Sequence, residues 1–166
     1  MLTTPTHVAP LIRRKLPIGL QTFRKIREQD YYYVDKTGLA IDLIEQGTSY
    51  FLSRPRRFGK SLLLDTLKDL FEGQQDLFKG LVAETRWDWG RKFPVMRISF
   101  GGGVVHTREA LDQIIHQQLA QFENRFNLPA AFPDLRSRFT DLIERLHKQA
   151  GQRVVVLVDE YDKPIL

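Results

Sequence analysis

The chain has 166 residues, of which 42% are hydrophobic and 27% charged, proportions typical of a globular domain. This length favours one domain with its own core and excludes two domains of ordinary size. The absence of cysteine excludes disulfides, thiolate nucleophiles and cysteine-ligated zinc or iron–sulfur centres. The net charge of +5 leaves two interpretations open, a solvated basic surface or contact with an anionic partner such as nucleic acid.

Hydrophobic runs in the sequence are too short for a membrane segment. The longest aliphatic run, VVVLV at residues 154–158, is far shorter than the roughly 20 residues that cross a bilayer. Residues 1–15 lack the apolar stretch of a secretory signal. We therefore expect a flexible leader over residues 1–15, a domain over residues 16–166, and a cytoplasmic protein of bacterial type.

The spacing of apolar residues predicts helices and strands in alternation. In chain order, these are a short helix at LAIDLIEQG (39–47), with Thr37 and Gly38 before it, a buried strand at SYFLS (49–53), a helix from Lys60 to about Gly73, a strand within FPVMRISF (93–100), helices from Thr107 to about Phe126 and from Asp134 to about Gly151, and a strand at VVVLV (154–158). The all-apolar last strand is typical of a parallel strand covered on both faces. Strands separated by helices predict an α/β fold with a mostly parallel sheet.

The stretch SRPRRFGKSLLLDTL, residues 53–67, contains at Gly59–Ser61 the G-K-S that ends a phosphate-binding loop. That Walker A motif is G-x-x-x-x-G-K-[ST], and Arg54 stands where its first glycine belongs. The half of the motif that must approach the phosphates, G-K-S, is intact. Gly59 lets backbone amides approach phosphates, Lys60 can reach the β- and γ-phosphate oxygens, and the Ser61 hydroxyl can ligate Mg²⁺.

The last strand leads into two acidic residues, in the pattern VVVLVDEYD. Asp159 stands where a Walker B aspartate would orient Mg²⁺ or its water ligands. Glu160 stands where a glutamate could act as general base on the attacking water. The alternative interpretation is an ordinary basic loop at G-K-S and a capped strand end at Asp159 and Glu160.

Four segments, LPIGLQTFRKIREQDYYYVDKTGLAIDLI, RPRRFGKS, FPVMRISF and DEYDKPIL, resemble the bacterial AAA-ATPase-like family over nearly the whole chain from Leu16. Members of that family carry R-P-R-R-F-G-K-S as their Walker A form and often a carboxy-terminal nuclease-like domain. The resemblance implies a P-loop NTPase-type three-layer sandwich that uses ATP and Mg²⁺. It also makes Arg54 a feature of the family.

The same resemblance implies a set of site residues. Ser61 and Asp159 are implied as metal ligands and Glu160 as the catalytic residue. Asp35 and Lys36, in YYYVDKTG, are implied with Thr37 as contacts to the base or ribose; a helix cap with aromatic packing is the alternative. Contacts to the nucleotide are further implied at the loop and the first turn of the helix, Arg56, Arg57, Phe58, Gly59, Lys60, Ser61 and Leu62.

The sequence ends seven residues after Asp159, before the inserted strand, polar sensor and arginine finger of such ATPases. We therefore expect an amino-terminal portion of a longer protein, or the product of a truncated gene, with the P-loop domain cut after the Walker B strand. The expected function is ATP binding with Mg²⁺, with hydrolysis in the intact parent protein. The alternatives are a basic module that binds nucleic acid through Arg54, Arg56 and Arg57 without catalysis, or an inactive remnant; a protein partner is a further expectation.

Two other patterns carry no predicted site. Gly101–Gly103 could begin a dinucleotide-binding motif, but His106 occupies the position of the third glycine, which favours a flexible loop. The four histidines lack metal-ligand spacing and are all expected at the surface.

Overall fold

The computed structural model describes residues 14–46, 49–51, 55, 57–102 and 107–162. These residues form an α/β fold, as predicted, with six α-helices, one 3₁₀ turn and two strands. Their bounds in chain order are α1 (Phe23–Glu28), α2 (Thr37–Glu45), α3 (Lys60–Phe71), the 3₁₀ turn (Gln75–Phe78), α4 (Ala83–Arg86), β1 (Val95–Ser99), α5 (Arg108–Phe126), α6 (Leu135–Ala150) and β2 (Val155–Asp159). Along the described ranges, no helix has the length and apolar character needed to cross a membrane.

β1 and β2 form a parallel pair, with Val95 opposite Val155 and Ser99 opposite Asp159. Because parallel strands cannot be joined by a tight turn, α5 and α6 form the crossover between them. α3 packs against one face of this pair. The opposite face shares an apolar cluster with α5 and α6, built from Met96, Ile98, Leu119, Phe122, Leu142 and Leu146. The parallel pairing is the part of the predicted sheet that is confirmed.

A second apolar cluster joins α1, α2, α3, the 3₁₀ turn and α4. Its buried side chains are Phe23, Ile41, Leu70, Leu77, Phe78 and Ala83. The Phe23 ring lies 4.9 Å from that of Phe78 and 5.1 Å from that of Tyr33, measured between centroids, so aromatic contacts tie the short α1 to its neighbours. α3 therefore contributes to this cluster and also contacts the sheet.

The predicted ends of the long helices are confirmed. The Thr107 hydroxyl accepts a hydrogen bond from the Ala110 amide, and the Asp134 carboxylate accepts one from the Ser137 amide. Gly151 follows α6 in the left-handed region, at φ 61°.

α2 begins at Thr37, two residues earlier than predicted. Asp35 accepts hydrogen bonds from both the amide and the hydroxyl of Thr37. These two bonds stabilise a helix start at Thr37, before Gly38. The predicted stop at Gly47 lies outside the described residues, as does most of the predicted leader.

The predicted strand at residues 49–53 is wrong for the residues that can be described. Ser49–Phe51 are not in a strand, and Tyr50 and Phe51 are 53% and 92% exposed; residues 52 and 53 lie outside the described part. An apolar run becomes a buried strand only beside a partner strand that takes up its backbone hydrogen bonds. In the described ranges, β1 and β2 pair with each other and neither pairs with Ser49–Phe51.

β2 is also less covered than its all-apolar sequence predicts. Leu157 is 8% exposed, but Val156 and Val158 are 37% and 39% exposed. The reason is the position of the helical layer, since α5 packs on β1 rather than on β2.

His116 is half-buried rather than at the surface as predicted. Its Nδ1 lies 2.8 Å from Nη1 of Arg138, whose guanidinium also donates to both carboxylate oxygens of the buried Glu123. The pattern of apolar residues in α5 does not indicate this polar contact, because its partner Arg138 lies on α6. His147 is exposed, as predicted, whereas His7 and His106 lie outside the described residues.

Candidate functional site

The amino terminus of α3 forms one side of the site. Gly59 precedes the helix with φ 81°, in the left-handed region that glycine adopts without a steric penalty. A Cβ atom added there would meet nothing within 4 Å, so the conformation explains the need for glycine and crowding does not. Lys60, Ser61 and Leu62 then form the first turn, whose amides face outward along the helix axis.

β2 ends at Asp159, close to the amino terminus of α3. The Ser61 hydroxyl donates to Asp159 Oδ1 over 3.2 Å, across 98 positions of sequence. Adjacent oxygen ligands of octahedral Mg²⁺ are roughly 3 Å apart, given metal–oxygen distances of about 2.0–2.1 Å. The two predicted metal ligands thus have a separation that fits one Mg²⁺ ion.

In the described ranges, the candidate site included, no group of three or more acidic or histidine side chains is arranged to hold a metal ion. A site built on one hydroxyl and one carboxylate fits Mg²⁺ because that ion usually takes its remaining ligands from water and substrate phosphates.

Glu160, the predicted catalytic residue, follows β2 in a left-handed conformation with φ 54°. Its carboxylate lies against the turn after β1, where a Cβ atom added to Gly101 would stand 2.8 Å from Glu160 Oε2. The missing side chain of Gly101 therefore leaves the space that this carboxylate uses. The sequence shows the run of glycines but not this neighbour.

Two residues of the site were missed by sequence reasoning. The Arg97 guanidinium, on β1, donates to Asp159 Oδ2 over 3.1 Å and to Asp65 Oδ1, on α3, over 2.6 Å. A usable signal existed, because a charged residue inside the apolar strand VMRIS must find a partner when the strand is buried.

An apolar cavity of about 670 Å³ opens beside Gly59 and Lys60. Its volume lies within the range of about 300–1,000 Å³ that is usual for small-molecule sites. The walls come from the segment before α1, from the tyrosine segment, from α2 and from α3, and include Leu16, Tyr32, Val34, Lys36, Leu39, Leu43, Tyr50, Phe58 and Leu63.

The structure separates the three predicted base or ribose contacts, Asp35, Lys36 and Thr37, of which Thr37 is fully buried and absent from the cavity lining. Lys36 lines the cavity, and Asp35 is absent from its lining. Asp35 Oδ1 accepts from Thr37, and Oδ2 accepts the Val82 amide over 2.7 Å. Burial acts to raise the pKa of Asp35, but these hydrogen bonds outweigh it and hold the pKa below the usual value. The carboxylate thus joins the start of α2 to α4.

The basic loop before α3 is described only in part. Arg57 and Phe58 are exposed, and the Phe58 side chain borders the cavity. Arg54 and Arg56 lie outside the described residues, so their predicted roles stay predictions.

A helix amino terminus facing the carboxyl end of a parallel strand, beside an apolar cavity, is the arrangement of nucleotide-binding α/β proteins. The sequence profile of the family described as Predicted AAA-ATPase matches residues 17–166, and the chain belongs to this family. Its membership agrees with nucleotide binding and with the resemblance carried by the RPRRFGKS and DEYDKPIL segments.

One similar protein is known from Azotobacter chroococcum mcd 1, where it is described as an uncharacterized protein in the vnfD 5′ region. The two are 60% identical over 155 residues, which make up 93% of this chain and 30% of that protein. The chain thus spans less than a third of the length of this curated relative. No solved structure matches the chain.

Proposed function

We propose that the chain binds ATP together with Mg²⁺, and that the whole protein hydrolyses the nucleotide. The observation that carries this proposal is the hydrogen bond between Ser61 and Asp159, at 3.2 Å. It joins the two residue types that hold Mg²⁺ in P-loop ATPases, although one begins a helix and the other ends a strand far along the chain.

In this proposal, the phosphates lie over the amino terminus of α3. The amides of the first turn and the positive end of the helix dipole attract the phosphate oxygens, and the Lys60 ammonium adds charge toward the β- and γ-phosphates. Leu62 contributes its amide in the same turn. Arg56, Arg57 and Phe58 belong to the loop that would lie along the phosphate chain.

The nucleotide base is proposed to enter the apolar cavity that begins at Gly59 and Lys60. The aliphatic and aromatic walls of that cavity offer stacking surface, and Lys36 lies on its lining as a base or ribose contact. Asp35 is less favourably placed than Lys36, because both its oxygens already accept hydrogen bonds within the protein.

The proposed reaction uses Glu160 as general base. Its carboxylate takes a proton from a water molecule as that water attacks the γ-phosphorus, and the bond from this phosphorus to the bridging oxygen of ADP breaks. Mg²⁺, held by Ser61 and Asp159, would supply charge stabilisation on the phosphate oxygens. The proton and the phosphate then leave with ADP.

The fold is included in the proposal as a P-loop-type three-layer arrangement over residues 16–166. Support comes from α3 on one face of the parallel strands and the cluster with α5 and α6 on the other. We propose that these residues form the amino-terminal portion of the ATPase domain of a longer protein, in keeping with the 30% coverage of the Azotobacter relative.

The test is titration of the chain with ATP in Mg²⁺ buffer, comparing wild type with Lys60→Ala. Loss of the lysine contact is expected to weaken ATP binding at least about ten-fold, because charge-assisted bonds to phosphate are among the strong ones. Lys148→Ala is the matched control, since Lys148 is an exposed lysine near the end of α6. Equal affinity of the wild-type and Lys60→Ala proteins would contradict the proposal.

A further inference from the structure

Arg97 shares its positive charge between two buried carboxylates. Its side chain is 26% exposed, whereas those of Asp65 and Asp159 are 6% and 10% exposed. Nη1 lies 2.6 Å from Asp65 Oδ1, and Nη2 lies 3.1 Å from Asp159 Oδ2. Two negative groups are therefore compensated by one guanidinium, which can bond to both because its donors form a planar fork.

These contacts divide the two oxygens of Asp159 between different partners. Oδ2 accepts from Arg97, and Oδ1 accepts from the Ser61 hydroxyl. Oδ1 is thus the oxygen that lies toward the proposed metal position. A carboxylate already paired with a cation attracts a second cation less strongly than a free one does.

Asp65 binds the Arg97 guanidinium on the side away from Asp159 and is itself held by α1. Its Oδ1 binds Arg97, and its Oδ2 accepts the amide of Phe23, the first residue of α1, over 2.6 Å. Asp65 and Ser61 lie four residues apart on α3, so the same helix positions both ends of the arrangement. The guanidinium is held by α3 on one side and by the end of β2 on the other.

We propose that Arg97 is a positioning residue that turns Asp159 Oδ1 toward Ser61 and makes divalent-cation binding depend on the phosphates of the nucleotide. With Arg97 in place, a metal ion alone meets a carboxylate whose charge is partly neutralised. The phosphates of the nucleotide supply the negative charge that the site lacks. This inference rests on the proposed function, because it takes Ser61 and Asp159 as the metal ligands.

The experiment measures Mn²⁺ binding to the 166-residue chain without nucleotide, by the loss of the free-ion signal in electron paramagnetic resonance. The informative protein is the double variant Asp65→Asn/Arg97→Met. It removes one negative and one positive charge together, and it keeps an oxygen at position 65 for the Phe23 amide. Its Mn²⁺ affinity is expected to be at least about five-fold tighter than that of wild type, because Asp159 loses its cation.

Two controls identify the cause. Asp65→Asn alone leaves Arg97 entirely to Asp159, so its Mn²⁺ affinity is expected to be no tighter than that of wild type. Adding Asp159→Asn to the double variant is expected to abolish the gain. Arg97→Lys keeps the charge but lacks the planar fork, so its gain in Mn²⁺ affinity should be smaller than that of the double variant.

Two results would overturn the inference: a double variant within about two-fold of wild type, or a gain that persists without the Asp159 carboxylate. The first result together with a lowered melting temperature would assign Arg97 a structural role only. Failure of the proposed function would be seen separately, as the absence of Mn²⁺·ATP binding by wild type.

Discussion

At the scale of single residues, the backbone at the candidate site is strained. Among the described residues, four that are not glycine have positive φ, namely Asp30, Arg57, Asn127 and Glu160. Asp and Asn tolerate this region through local hydrogen bonds, whereas Arg and Glu do not have that advantage. The two less tolerant residues belong to the predicted phosphate loop and to the predicted general base, as is common where a site is held in a fixed geometry.

The strain at Glu160 leads to a prediction about stability. Glu160→Gly is expected to have a free energy of unfolding about 0.5–1 kcal/mol higher than Glu160→Ala. The Cβ atom of alanine is strained at φ 54°, whereas glycine has no Cβ atom. The larger entropy that glycine loses on folding offsets part of this difference. Urea denaturation of the two variants measures the difference. The same pair of substitutions at Glu144, exposed within α6, should show the opposite order, since glycine is a poor helix former. Equal stability of the two Glu160 variants would contradict backbone strain at this position as a cost in stability.

Residue identity was sufficient for some of the site and insufficient for the rest. Gly59 and Asp159 could be predicted because each stands at a boundary that the sequence marks, one before an apolar helix and one after an apolar strand. The sequence marks Arg97 as a residue that needs a partner, but the identity of its partners and the role of Gly101 could not be assigned, because both depend on neighbours that the fold brings from elsewhere. A single sequence gives no distance between Gly101 and Glu160.

At the scale of elements, α3 carries polar residues along its buried side. Ser61, Asp65 and Asp69 follow one another at intervals of four residues, and the last two are 4% and 0% exposed. Asp65 is satisfied by Arg97 and by α1. Asp69 Oδ1 accepts from Lys68 over 2.6 Å, but Oδ2 has no hydrogen-bond partner in the described ranges. Burial raises the pKa of Asp69 in spite of the lysine.

The pKa of Asp69 predicts a pH-dependent effect of Asp69→Asn. A carboxyl group with a raised pKa in the folded protein binds more protons than in the unfolded chain, so its favourable contribution is present below the usual value of 3.8 and is lost as the pH rises through the folded pKa. Asp69→Asn is therefore expected to raise the free energy of unfolding at pH 7 by up to about 1 kcal/mol, with the gain fading toward pH 3.8.

Urea denaturation across this pH range checks the effect of Asp69→Asn. Asp76→Asn serves as the control, because Asp76 is exposed in the 3₁₀ turn, and the pKa of its carboxyl is lowered by Lys79 rather than raised. A stability gain for Asp69→Asn that is independent of pH would contradict the burial of an ionised carboxylate as its cause.

The elements predicted correctly are those with enough length to show a period and a cap. α5 and α6, with Thr107 and Asp134 before them, meet both conditions. The six-residue α1 is too short to show a helical period, and it is stabilised by packing of Phe23 and Ile26 instead. The run at residues 49–53 shows the opposite error, because its apolar residues predict a strand but do not indicate which strand would pair with it.

At the scale of the whole molecule, the site lies between the two apolar clusters. α3 contributes Leu62 and Leu70 to one cluster, and β1, which pairs with β2, contributes Met96 and Ile98 to the other. A ligand bound to Ser61 and Asp159 would contact α3 and β2 together. We therefore expect nucleotide binding to stabilise the whole chain rather than one part of it.

This expectation is testable by melting temperature. ATP at about 100 times its dissociation constant stabilises a folded protein by about 2.7 kcal/mol, which for a chain of this size corresponds to a rise of roughly 5–10 °C. The rise should need Mg²⁺ and should be removed by a chelator, because Ser61 and Asp159 are placed to act through the metal. At the same ATP concentration, Lys60→Ala should show no more than about half of this rise, because an affinity about ten-fold weaker leaves at most about 1.4 kcal/mol of stabilisation.

The same measurement distinguishes the ATPase from the basic nucleic-acid-binding module. A chain that uses its arginines to hold nucleic acid would be stabilised by a single-stranded oligonucleotide, steeply less so as salt increases, and would not respond to ATP or to Mg²⁺. Stabilisation by ATP and Mg²⁺ at moderate salt, with no response to the oligonucleotide, is the expected result. The reverse pattern would assign the exposed Arg57 and its neighbours to nucleic acid and would remove the basis for the proposed roles of Asp159 and Glu160.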